Sequence, residues 1–126
     1  LIKSKDDLDI VLEKFNIKKN YNDKIYERIR SEITRIINHP TVQHLFLSGL
    51  NIFLETNILS LDGTVYRPDR VVVDNHMASL IDYKTGQEKK IDYQQMETYE
   101  SILTQLGYKK IDKYLIYLTT GDVKKI

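Results

Sequence analysis

The stretch YRPDRVVVDNHMASLIDYKTG, residues 66–86, decides the predicted fold. Two runs rich in β-branched and apolar residues flank the turn signal Asn75-His76, so the stretch predicts an antiparallel hairpin. Counting outward from a turn centred on these two residues places Asp69 directly opposite Asp82. The predicted hairpin therefore brings two carboxylates together near its open end.

The same face of the predicted hairpin also carries an ammonium group. Side chains alternate along a strand, so Lys84 shares a face with Asp82 while Tyr83 points the other way. Opposed carboxylates repel each other, and Mg²⁺ compensates such a pair while keeping waters and binding substrate phosphate. A neighbouring ammonium can orient the attacking water and stabilise the charge that develops on phosphorus. The pattern predicts metal-assisted phosphodiester hydrolysis.

The rest of the chain predicts an α/β domain around this hairpin. Apolar periodicity predicts helices over residues 4–15 and 22–38, a helical turn at 41–46, and a helix between an Asp92 N-cap and a Gly107 stop. Alternating patterns and turn signals predict strands over residues 50–61, 65–73, 77–84 and 114–118.

Composition limits the class of protein without choosing a partner. A chain of 126 residues predicts a single domain, residues 1–126. No apolar run reaches the length of a membrane helix, and no signal-like segment is present, so we expect a cytoplasmic protein. Because cysteine is absent, disulfides and thiolate metal sites are excluded. A net charge of +1 favours no polyanionic partner by itself. Since the sequence opens without methionine, we expect a piece of a longer chain.

Three motifs in this order resemble a known family. RPD at residues 67–69 is followed by DYKTG at 82–86 and by QxxxY from Gln95 to Tyr99. Together they resemble the PD-(D/E)XK nuclease superfamily, specifically the RecB-like C-terminal nuclease domains of UvrD/RecB/AddA-type helicase-nucleases. The resemblance covers about residues 50–118. It implies a restriction-endonuclease-like α/β fold with a mixed, mainly antiparallel central sheet of about four strands flanked by helices.

The resemblance also implies an activity and its residues. It implies exonuclease-type, metal-dependent hydrolysis of DNA in repair or recombination, with helicase motor domains as partners and ATP used only by those motors. Mg²⁺ or Mn²⁺ would be held by Asp69, Asp82 and the Tyr83 carbonyl. Lys84 would lie next to the nucleophilic water. The two helix residues that would line the site are Gln95 and Tyr99.

Two departures from the family pattern are visible. Tyr66 stands where members often have a glycine, three residues before the first aspartate. Many members use a metal-binding histidine on an upstream helix, which we expect to precede residue 1. The three histidines present, His39, His44 and His76, are predicted cap, surface or turn residues. The branch with an iron–sulfur cluster is excluded because cysteine is absent.

Structural roles compete with the catalytic ones at several positions. The charged residues of the hairpin could form an ion-pair ladder on a solvated strand face. With Asp92 at the N-cap, Gln95 would occupy the third helical position and could close a capping box. Tyr99 lies on the apolar stripe of its helix and could be core packing. A catalytically silent nuclease-like domain that binds DNA or docks on a helicase is therefore the alternative function.

Glu55 is an additional candidate site residue whose register the sequence leaves open. If the loop at Asp62-Gly63 has two residues, Glu55 lies opposite Arg70 and on the face away from Asp69. If the loop has three residues, Glu55 lies opposite Asp69 itself. A structural ion pair and a site residue are both consistent with the sequence.

Overall fold

A computed structural model describes residues 3–4, 7–8 and 22–126. The chain divides into two compact units, Leu1–Gly49 and Leu50–Ile126. Over the described residues, every helix is too short or too polar to cross a bilayer.

In the part of the first unit that the structure describes, a long helix, α1, spans Asp23–Ile37, as the apolar periodicity predicts. Asn22 caps it, because the Asn22 side chain accepts a 2.9 Å hydrogen bond from the Ile25 N–H. A single 3₁₀ turn follows at Gln43–Phe46, within the predicted helical turn. The helix predicted over residues 4–15 lies largely outside the described residues.

The second unit contains a mixed five-stranded sheet and a separate two-stranded ribbon. The large sheet has the order β1-β4-β5-β6-β7, and the ribbon pairs β2 with β3. Its strands are β1 Asn51–Leu54, β2 Ile58–Leu59, β3 Val65–Tyr66, β4 Arg70–Asp74, β5 Met77–Lys84, β6 Lys110–Tyr117 and β7 Asp122–Lys125. Only β5 and β6 are parallel, so the predicted α/β class with a mainly antiparallel mixed sheet is confirmed.

The β4–β5 hairpin has the predicted register. Arg70 pairs with Ile81 and Asp74 pairs with Met77 across a two-residue turn. Asn75 adopts a φ of 53°, a left-handed conformation that asparagine tolerates better than most residues. The turn therefore sits where the sequence places it, and it sets the faces of every residue that follows.

The two strands predicted before this hairpin are each interrupted. The predicted strand 50–61 divides into β1 and β2, because the chain turns at Glu55, whose φ is 46°. The predicted strand 65–73 divides into β3 and β4 around Pro68, which has no N–H to give to a strand. The two interruptions lie opposite each other, because the Glu55 N–H donates to the carbonyl of Asp69, the residue after Pro68. The β2–β3 ribbon therefore leaves the large sheet as a separate hairpin.

One helix, α2 at Lys90–Gln105, connects the parallel strands β5 and β6. Its N-cap is Lys89, so the predicted Asp92 N-cap is wrong by one turn. Asp92 instead lies inside the first turn, where its carboxylate accepts hydrogen bonds from the Lys89 N–H at 3.0 Å and the Tyr117 hydroxyl at 3.1 Å. The predicted stop is confirmed, because Gly107 follows the helix with a φ of 105°.

Helix α2 packs on one face of the sheet and forms the core of the second unit. Met96, Tyr99 and Leu103 from α2 meet apolar residues of β4, β5 and β6. The last strand, β7, was not predicted, because Asp122, Lys124 and Lys125 hide its pattern. As an antiparallel edge strand beside β6, it makes the sheet one strand wider than expected.

Candidate active site

The two aspartates of the hairpin lie where the sequence predicts them. Asp69 immediately precedes β4, and the register of β4 with β5 places it opposite Asp82. Asp82 is almost completely buried, with 5% of its surface exposed. The Asp69 carboxylate accepts a 2.8 Å hydrogen bond from the Tyr83 N–H, so it is anchored to the backbone of the neighbouring strand.

The electrostatics of the pair reflect burial and repulsion. The pKa of the Asp69 carboxyl is raised from its usual 3.8 to about 6, mainly by burial and less by the charge of Asp82, against the opposing effect of the Tyr83 hydrogen bond. A carboxyl with this pKa gains from any nearby cation that favours its ionised form. Burial contributes more to the cost of ionising Asp69 than the repulsion between the two carboxylates does.

Lys84 supplies the cation next to this pair. Its Nζ lies 2.6 Å from an Asp82 carboxylate oxygen, and only 20% of the Lys84 side chain is exposed. The same Nζ donates a hydrogen bond to the Gln95 side-chain oxygen. The three charged residues thus form a partly buried cluster, so they are not the solvated surface ladder that was the alternative interpretation.

Helix α2 completes the cluster with both residues of the QxxxY motif. The Gln95 amide nitrogen donates a 3.0 Å hydrogen bond to the Tyr99 hydroxyl, while its oxygen accepts from Lys84. Gln95 therefore does not close a capping box, because the helix starts one turn earlier than predicted. It bridges the lysine and the tyrosine instead.

Tyr99 contributes its ring to the core and its hydroxyl to the cluster. Its ring belongs to the core and meets the Tyr66 ring edge to face, with centroids 6.2 Å apart. Its hydroxyl reaches Gln95. Burial raises the pKa of Tyr99, and the negative charges of Asp82 and Asp69 raise it further.

Glu55 lies opposite Asp69, and its side chain pairs with a different residue. The Ser60 N–H donates to the Thr64 carbonyl at 2.9 Å beyond the last pair of β2 and β3, which leaves a three-residue turn, and the Glu55 N–H donates a 3.0 Å hydrogen bond to the Asp69 carbonyl. The Glu55 carboxylate lies 3.6 Å from an Arg67 guanidinium nitrogen, and the Arg67 Nε donates to the Glu55 carbonyl at 2.7 Å. Both side chains are mostly exposed, so the geometry matches the ion-pair interpretation of Glu55.

The donor set at the hairpin fits a hard divalent cation. Across the described residues, no three His, Cys, Asp or Glu side chains come together as a metal cage. Two carboxylates remain, and Mg²⁺ is commonly held by one or two carboxylates together with waters and substrate phosphate. Asp69 and Asp82 therefore suit Mg²⁺ or Mn²⁺, with the Tyr83 carbonyl as a further predicted ligand, and they do not suit a structural zinc site.

The sequence pattern gives no role to Tyr66 or to the N–H of Tyr83. Tyr66 was noted only as a departure from glycine, although an aromatic residue three positions before Asp69 could have suggested contact with the helix. The Tyr83 N–H is available to Asp69 because β4 ends its pairing at Arg70, one residue short of the aspartate. A backbone donor of this kind leaves no signal in the side-chain pattern.

Comparison with known proteins adds no assignment. The chain matches no protein-family model and no curated protein.

Proposed function

We propose that the second unit is a metal-dependent deoxyribonuclease of the PD-(D/E)XK type, resembling the RecB-like branch. The observation that carries the proposal is the contact chain Asp82–Lys84–Gln95–Tyr99, which joins the hairpin to α2 beside Asp69. A surface salt bridge does not need side chains from several elements to meet at one place. A site for phosphoryl chemistry does need carboxylates and an ammonium in fixed geometry.

Each residue has a defined task in this proposal. Asp69, Asp82 and the Tyr83 carbonyl would hold Mg²⁺ or Mn²⁺, which when bound supplies Lewis-acid stabilisation of the phosphoryl oxygens. Lys84 orients the attacking water and donates hydrogen bonds to the oxygens on which charge builds. Gln95 holds Lys84 in position, and Tyr99 in turn holds the Gln95 amide.

The wider setting of the proposal follows from the family resemblance. The substrate is DNA, the parent chain or complex contains helicase motor domains that consume ATP, and the reaction belongs to cytoplasmic DNA repair or recombination. A catalytically silent domain is the second candidate, because the Lys84 ammonium is already used by Asp82 and Gln95 within the protein. The two candidates differ in whether substrate and metal draw Lys84 away from Asp82.

A lysine replacement with a matched control distinguishes these candidates. Lys84→Gln should lower cleavage of single-stranded or duplex DNA in Mn²⁺ by about a hundredfold or more, because a donor to the developing charge is lost. The control is Lys113→Gln, since Lys113 is also an ion-paired lysine with 16% of its side chain exposed, and its partner is Glu100. DNA binding should persist in both variants.

Three outcomes are informative. Loss of cleavage in Lys84→Gln alone supports the assignment of the lysine. Equal cleavage by the two variants would remove Lys84 from the mechanism. No cleavage by the unmodified chain, with DNA still bound, would favour the silent domain.

A further inference from the structure

A groove runs along α2 between this helix and the β2–β3 hairpin. Its volume is about 550 Å³, and its helix side is formed by residues at helical spacing, among them Gln94, Thr98 and Gln105. A second groove of about 410 Å³ shares Gln94 and Thr98 and reaches Lys84. The two grooves therefore lie next to each other along α2, on either side of Gln94 and Thr98.

The two walls of the groove differ in chemistry. The hairpin wall presents Leu61, which is 89% exposed at the loop tip, and the Tyr66 ring. The helix wall is mostly polar, with amide and hydroxyl groups, the Glu97 carboxylate and one apolar residue, Ile102. A nucleobase has the matching character, because its faces are flat and apolar while its edges donate and accept hydrogen bonds.

Charge argues for a base and against the sugar-phosphate backbone in this groove. Among the described residues that line it, none is lysine or arginine, and Asp62 and Glu97 contribute negative charge. A phosphate would be repelled there, while a carboxylate can accept a hydrogen bond from a base amino group. The cation that suits phosphate, Lys84, lies in the adjoining groove.

Hydrogen bonds within the loop fix the conformation of the segment that carries Leu61. The Asp62 carboxylate accepts hydrogen bonds from the Ser60 hydroxyl and, at 2.9 Å, from the Thr64 N–H. Gly63 follows with a φ of 87°, and its N–H donates to the Ser60 carbonyl at 3.0 Å. Leu61 is therefore presented to solvent by an ordered three-residue loop, and exposed apolar side chains of this kind can pack against bases.

We propose that this groove is a nucleobase subsite, which receives an unpaired base of the nucleic acid strand whose phosphate reaches Lys84. The inference rests on the proposed function for its choice of ligand, and it adds a contact that reads the base. Leu61 and Tyr66 cover the base face, and Gln94 bonds the base edge. The subsite would give the protein a base-dependent affinity next to the scissile phosphate.

The subsite can be tested without cleavage by measuring the binding of two short single-stranded oligonucleotides. One is intact, and the other has abasic sites throughout its central part. Fluorescence anisotropy in EDTA should show the intact strand bound about tenfold more tightly, the order expected for one base contact. Leu61→Thr and Gln94→Ala should each remove most of this difference. Leu59→Thr is the matched control, because Leu59 belongs to the same hairpin, is 65% exposed and lines a different groove.

The outcome separates the subsite from the nuclease proposal. If the unmodified protein binds both strands equally, or binds neither, the nucleobase subsite is refuted, whatever the cleavage assay of Lys84→Gln shows. If Leu59→Thr weakens the difference as much as Leu61→Thr, the hairpin acts nonspecifically and the assigned groove is wrong. The subsite is supported if the unmodified protein binds the intact strand more tightly than the abasic strand and only Leu61→Thr and Gln94→Ala lose this difference in affinity. That result supports the subsite even if the protein does not cleave DNA.

Discussion

The Asp69 carboxylate accepts a 2.8 Å hydrogen bond from the Tyr83 N–H, so a residue just outside β4 is fastened to the backbone of β5. This bond orients one carboxylate toward the face that carries Asp82 and Lys84. It also stabilises the ionised form of Asp69, but burial outweighs it and the pKa rises to about 6. The site therefore holds a carboxyl whose charge is unfavourable even with Lys84 nearby, and a bound metal ion would favour the ionised form.

The raised pKa predicts how stability depends on pH in metal-free buffer. Between about 3.8, the usual carboxyl pKa, and about 6, the folded state holds a proton on Asp69 that the unfolded state has released. The contribution of Asp69 to the free energy of unfolding should therefore fall as pH rises through this range. Above about pH 6 the cost of ionising Asp69 in the folded state is fully present. Chemical denaturation of the unmodified protein and Asp69→Asn, both in EDTA, measures this contribution as the difference between the two pH profiles.

Asp69→Asn should unfold at higher denaturant concentration than the unmodified protein at neutral pH. The amide oxygen can still accept from Tyr83, and the amide cannot ionise beside Asp82. If the difference between the two proteins is independent of pH, then Asp69 is not the titrating group.

Metal should stabilise the domain through the same two carboxylates. A ligand at a hundredfold excess over its Kd adds about 2.7 kcal/mol to the free energy of unfolding, which raises the melting temperature by several degrees. Mn²⁺ should act at lower concentration than Mg²⁺, because it generally binds oxygen and nitrogen sites more tightly. A thermal melt with each ion should show the shift in the unmodified protein and little in Asp69→Asn. Equal shifts in the two proteins, or none with millimolar metal, would show that these aspartates do not bind the ion and would favour the silent domain.

Tyr99 allows its packing role to be separated from its site role. Tyr99→Phe keeps the edge-to-face contact with Tyr66 and removes only the hydroxyl that accepts from Gln95. The free energy of unfolding should fall by about 0.5–1.5 kcal/mol, the usual net value of one hydrogen bond. Cleavage should fall by more than this stability loss explains, because Gln95 then orients Lys84 less well. Full cleavage by Tyr99→Phe, measured well below its melting temperature, would reduce Tyr99 to core packing.

Glu55→Gly tests whether Glu55 is structural. Glycine adopts the observed φ of 46° without strain and keeps the N–H that binds the Asp69 carbonyl. Relief of roughly 1–2 kcal/mol of left-handed strain is offset by the greater freedom of the unfolded chain and by loss of the exposed Arg67 ion pair. We expect stability to change by less than about 1 kcal/mol, with cleavage unchanged. A large loss of cleavage in a stable variant would instead make Glu55 a site residue.

The sequence by itself determined the hairpin and the faces of its residues. The turn signal at Asn75-His76 sets a two-residue turn, so the pairing across β4 and β5 could be counted outward from it. The helical spacing from Met96 to Leu103 likewise predicted α2 and its apolar stripe. Local patterns suffice wherever partners are close in the chain and a single turn sets their register.

Only the tertiary structure decided which neighbours these residues meet. One residue more or less in the Asp62-Gly63 loop moves Glu55 to the other face, and the chain order alone does not state that length. The sequence left Gln95 with two possible roles, a site residue and a member of a capping box, and it reaches Lys84 because the crossover from β5 to β6 lays α2 across the site. Contacts between elements distant in sequence depend on the packing of the whole unit, so local periodicity cannot specify them.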